Sequence, residues 1–165
     1  MSGAVALFPK LATALDITAD KHGLLLAISR GAALLAFWSL QHLEFWRTRL
    51  WPLWVAQAGV VLALVGIGIA GEFWQFAITL GVVGAVSGYT YQASIYFTLE
   101  ESSAKGKGSA FHEAILASGM FLGPMLAGAV GERYDLRSPF YFCAAALAVM
   151  IIAQLLVVAW RRRTT

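Results

Sequence analysis

Charged residues cluster along the chain, and the long apolar stretches between the clusters set its elements. Residues 23–41 are interrupted by Arg30 alone, and 52–70 hold no charge. Residues 73–99 form the longest uncharged run, 108–131 contain only Glu113, and 138–160 are again uncharged. Each run exceeds the roughly 18 residues beyond which an apolar helix is expected to cross a bilayer rather than lie inside a soluble core. Five full spans are therefore predicted. Residues 2–17 are fewer and carry Pro9 and Lys10 near their middle, which predicts a half-length first span. That segment lacks the basic start of a secretory signal, and Lys10 falls where a signal needs apolar residues, so it is expected to stay and pack. The connections at 18–22, 42–51, 71–72, 100–107 and 132–137 leave no room for a soluble domain, so residues 1–165 read as a single transmembrane helical domain.

Composition agrees with the pattern: 59% of the 165 residues are apolar and 13% are charged, whereas a soluble domain carries about a quarter charged residues. The predicted fold class is all-α integral membrane. Lys and Arg number 12 against 9 Asp and Glu, and the surplus has a side. When the spans alternate across the bilayer, Arg47, Arg49, Lys105, Lys107, Arg161, Arg162 and Arg163 share one side, and Lys21, Arg133 and Arg137 share the other. In short loops the richer side is cytoplasmic, which puts the carboxyl terminus there, in a cytoplasmic (inner) or plasma membrane. A surplus so distributed is no nucleic-acid patch. Trp38, Trp46, Trp51, Trp54, Trp74 and Trp160 fall at or near span ends, where an amphipathic ring suits the headgroup layer. Cys143 is the single cysteine and lies in an apolar run, so one copy builds neither a disulfide framework nor a cysteine metal site.

Two spans carry small residues at helical spacing. Gly81, Gly84 and Gly88 share one face of the fourth, a close-contact stripe that ends at Gln92. The fifth reads Gly119, then Gly123-Pro124, then Ala127-Gly128. From local physics alone this is a packing helix bent by a proline. The spacing resembles the glycine-proline motif gxxxGPxxGG of the major facilitator superfamily, departing where Ala127 replaces the penultimate glycine. In that superfamily related versions occur in the eleventh helix. The basic tail, the connection Gln41 to Arg49 and the Phe8-Pro9-Lys10-Leu11-Ala12 start also look like the second half of such a transporter. The resemblance covers nearly the whole chain and implies helices seven to twelve, a six-helix half-bundle with the seventh helix truncated. It further implies transport of a small solute by alternating access, with the second, fourth and fifth spans facing the pathway and the third and sixth outside.

The polar residues inside spans are the candidate pathway or substrate groups. Arg30 lies seven residues after Gly23, about 10 Å along the helix, where an ionised group costs several kcal/mol unless paired, hydrated or snorkelled. It is either a functional charge or a structural one that reaches a carbonyl or headgroup. His112 and Glu113 stand near the start of the fifth span, where an imidazole and a carboxylate could bind or pass protons. The carboxylate also suits a helix N-terminus. Tyr89, Gln92 and Tyr96 place hydrogen-bonding groups on the fourth span at steps of three and four, fit either to line a polar cavity or to join helices.

Three histidines without a close ligand pair, no nucleophile motif and no phosphate loop argue against an enzyme, a metal site or a cofactor. The expected function is that of a secondary-transporter half or fragment. The alternative is a non-transporting membrane scaffold or assembly subunit derived from one. In addition to the lipid bilayer and an unidentified small-molecule substrate, the expected partner is a complementary amino-terminal half or a second copy. A half alone would turn its polar face to lipid.

Overall fold

The computed structural model describes residues 2–47, 49, 51–101 and 105–164. Six helices follow in order: α1 (Ser2–Ala14), α2 (Ala19–Leu40), α3 (Trp51–Ile69), α4 (Phe73–Glu101), α5 (Lys105–Arg133) and α6 (Ser138–Thr164). Residues 102–104 of the expected fourth connection lie outside the description, as do Met1 and Thr48 and the side chains of Lys105 and Arg161 to Arg163. The first helix is short, as its sequence predicts, and stops before Asp16, whose φ of 53° turns the chain back toward α2. The uncharged runs locate every other helix, and α5 and α6 extend past them by a few residues into their basic flanks.

By length and composition α2, α3, α5 and α6 are able to cross a membrane. The remaining expected full span, α4, matches α5 in its 29 residues. The polar groups from Ser87 to Gln92 dilute its apolar character and leave it outside that set. Lipid offers helices little hydrophobic reason to associate, so contact depends on how closely backbones approach. Glycines mark the interfaces accordingly. A side chain at Gly84 or Gly88 would run into the backbone of Ser29 or Ala33, so the α4 stripe seats directly on α2. Gly66 of α3 receives Thr79 of α4, and Gly68 receives the Tyr141 ring of α6. Gly3 of α1 lies against the Gly123 carbonyl and Ala127 of α5.

Two buried clusters occupy opposite ends of the bundle. The larger joins Phe8 and Leu11 of α1, Leu25 of α2, Leu64 and Ile67 of α3, Phe76 and Leu80 of α4, and Phe140 of α6. The smaller is built around Trp46 from the α2–α3 connection, with Leu40, Ala93, Tyr89, Tyr96 and Phe97. Trp46 corrects the expectation of a headgroup-layer ring: it is 1% exposed, and its Nε1–H donates to the Leu40 carbonyl. The indole finds in the Leu40 carbonyl the partner that water would otherwise supply, which lets the ring serve as core. Trp38, Trp51, Trp74 and Trp160 remain exposed. Arg137 donates from one guanidinium nitrogen to the carbonyls of Gly68 and Ala70 at 2.7 and 2.8 Å, closing the end of α3 from the α5–α6 connection.

Candidate functional site

The α4–α5 seam brings polar side chains together. On α4, Tyr91 and Ser94 are three residues apart and share a face. On α5, His112 and Glu113 meet them. Ser94 Oγ lies 2.8 Å from His112 Nε2, and the Tyr91 hydroxyl donates to Glu113 Oε1 at 3.2 Å. The Tyr91 and His112 rings meet edge to face with centroids 5.9 Å apart. His112 is buried at 8% exposure, whereas Glu113 is half exposed.

Ser94 Oγ also lies within hydrogen-bond reach of the Tyr91 carbonyl at 2.9 Å, so its hydroxyl has two partners, that carbonyl and His112 Nε2. The other ring nitrogen, Nδ1, has no hydrogen-bond partner among the described residues and stands 3.5 Å from Glu113 Oε1. A proton added at Nδ1 would convert that approach into an ion pair.

The remaining candidates lie elsewhere. Arg30 is exposed on α2, with no hydrogen bond or ion pair among the described residues. Tyr89 and Tyr96 turn away from α5 and edge onto Trp46, with ring centroids 6.3 and 5.2 Å away. Gln92 keeps its amide oxygen buried, with no hydrogen-bond partner among the described residues. In the glycine-proline motif, α5 runs unbroken through Pro124. Gly123 makes the close approach to α1, whereas a Cβ at Gly119 or Gly128 would meet no other atom within 4 Å. Sequence reasoning missed Tyr91 and Ser94, although their three-residue step forms a second polar stripe beside that of Tyr89, Gln92 and Tyr96. It also missed Arg47, whose guanidinium stands 5.7 Å from the Trp46 and Tyr96 ring centroids. Among the described residues no group of three His, Cys, Asp or Glu side chains could hold a metal ion.

No protein-family model matches the chain. Its similarity is to curated relatives named multidrug resistance protein MdtG. The chain is 28% identical over 100 residues to that of Proteus mirabilis, 26% over 101 to that of Escherichia fergusonii and 27% over 101 to that of Serratia proteamaculans. These matches cover 59–61% of this chain and 24–25% of the relatives, so the matched region spans about a quarter of their length. Over about 59% of its length, at 25–28% identity, the chain is thus similar to proteins named for multidrug resistance.

Proposed function

We propose that this chain forms the second half of a secondary transporter that moves a small solute by alternating access, with α2, α4 and α5 lining the pathway. The observation that carries the reading is the polar seam between α4 and α5, where a buried imidazole leaves Nδ1 open toward Glu113. A transporter needs groups whose charge changes near its pathway, and inside a membrane such groups are costly unless used. A proton entering between His112 and Glu113 would pull the two side chains together and loosen the hold of Glu113 on Tyr91. That couples protonation to the α4–α5 contact. The exposed Arg30 supplies a second charge on a pathway helix. A complementary six-helix half covers the polar face and completes the site between two halves, as in transporters whose substrate lies at a repeat interface. The basic connections and tail face the cytoplasm.

The names of the relatives make amphipathic drugs the first solutes to assay. The protein is purified in mild detergent with whatever chain accompanies it and reconstituted into liposomes under an imposed pH gradient. Labelled drug should accumulate only when the gradient is present. His112→Gln and Glu113→Gln should each lower the rate at least about a hundredfold, the loss expected of a group that acts in proton transfer, and Arg30→Gln should lower it by removing a fixed charge from a pathway helix. Gradient-dependent transport at the wild-type rate by all three well-folded variants would remove the site from the mechanism. Absence of transport by a complex that retains its partner would favour the scaffold alternative.

A further inference from the structure

A groove of about 350 Å³ lies between α2, α3 and α4 on another side of the bundle. Its walls include Ala36 and Ser39 of α2, Pro52 and Val55 of α3, and Ala85 and Tyr89 of α4. Helix phase shows which way it faces. Ser39 follows Arg30 by nine positions, and Ser94 follows Ala85 by nine. At about 100° per residue, nine steps amount to a half turn. The groove thus opens on the flanks of α2 and α4 opposite Arg30 and the Ser94–His112 contact. Its third wall is α3, an uncharged helix with exposed Val55, Leu62 and Ile69. The surface is turned to hydrocarbon, and its volume is on the scale of a ligand site rather than a packing defect.

The connection at one end of the groove is basic. Phe45 and Trp51 close the groove there, and between them the connection carries Arg47 and the exposed Arg49. Tyr96 follows Tyr89 by seven residues, on the same face and about 10 Å further along α4. The Arg47 guanidinium stands over the Tyr96 ring, with its Nε buried and lacking a hydrogen-bond partner among the described residues. Among the described side chains, Glu44 in the same connection and Glu100, which hydrogen-bonds Tyr96, are the nearby carboxylates. An apolar slot beside a connection that carries two arginines, with an exposed tryptophan at its end, matches one kind of membrane molecule. We propose that the groove binds an anionic glycerophospholipid, one acyl chain lying between α2, α3 and α4 and the phosphate engaging Arg47 and Arg49. Arginine suits this role because its planar fork pairs with phosphate oxygens in bidentate fashion.

The site does not depend on transport and is tested on the unmutated full chain. Photoreactive phosphatidylglycerol, with a diazirine midway along one acyl chain, is added to the purified protein in phosphatidylcholine nanodiscs. Adducts should concentrate in residues 36–40, 51–56 and 85–89, and unlabelled phosphatidylglycerol should compete where phosphatidylcholine does not. Adducts spread evenly over apolar surface such as Leu155 to Val157, or equal competition by both lipids, would overturn the proposal. In the double variant Arg47→Gln/Arg49→Gln, affinity for phosphatidylglycerol should fall about fivefold for each arginine lost, the scale of one basic side chain near an anionic surface. Unchanged affinity in a folded double variant would overturn the headgroup assignment.

Discussion

A leucine at Gly84 would drive its Cβ into the backbone of Ser29, where no side chain can turn aside to make room. Gly84→Leu should therefore separate α2 from α4 and cost at least the roughly 1–3 kcal/mol of an overpacked core. Gly128→Ala, whose Cβ meets no atom within 4 Å beyond its own helix backbone, should leave the chain about as stable as before. Thermal melts of the purified variants, followed by helical content, compare the two. At this scale the sequence was legible where spacing alone decides. Steps of three and four put Gly81, Gly84 and Gly88 on one face before any neighbour was known. It was not legible where two environments suit the same side chain. The Trp46 ring fits a headgroup layer and a buried cluster equally well, and only the Leu40 carbonyl beside its N–H decides between them. The same holds for Tyr91 and Ser94: their stripe is readable, but that it meets His112 depends on how α5 is rotated.

Among the elements, α6 has the most explicit start. The Asp135 carboxylate accepts from the backbone N–H of Ser138 and of Arg137, both at 2.7 Å, and so occupies donors that the first turn leaves open. Those bonds, that from Ser138 first and then that from Arg137, hold its carboxyl below the usual carboxylate range. The folded value thus lies under the unfolded value of about 3.9. Its stabilisation is fully present above the unfolded value and is lost as the pH falls through the folded one. Asp135→Asn should melt lower than the parent at neutral pH, and the gap should narrow as the pH drops below about 4. Melting curves across that range check the slope. Helix positions were readable from charge alone because lipid admits so few ionised groups. The polar stretch from Ser87 to Gln92 is the exception, since hydroxyl and amide groups lower the apolar signal of α4 without interrupting its helix.

For the whole molecule, orientation is the first quantity to measure. In a Cys143→Ser background, a cysteine at Tyr134 should react with an impermeant maleimide from outside intact cells. Cysteines at Lys107 and Thr164 should react only after the membrane is opened, as the bias of basic residues predicts. The reverse pattern would invert the topology. Packing partners were beyond sequence reasoning because every span offers several faces of similar apolarity, and backbone contact selects among them. The closure of α3 by Arg137 also bears on how this protein tolerates its membrane. With 19 residues, α3 rises about 28 Å, slightly less than a typical hydrocarbon layer of about 30 Å. A helix that short risks leaving its last carbonyls within the apolar layer, where each unpaired group costs several kcal/mol. Arg137 supplies donors to two of them from a neighbouring connection. With those carbonyls paired, the end of α3 can enter the apolar layer at less cost. Reconstituted in lipids of increasing chain length, the Arg137→Gln protein should lose stability as the bilayer thickens, while the parent holds its melting temperature across the series.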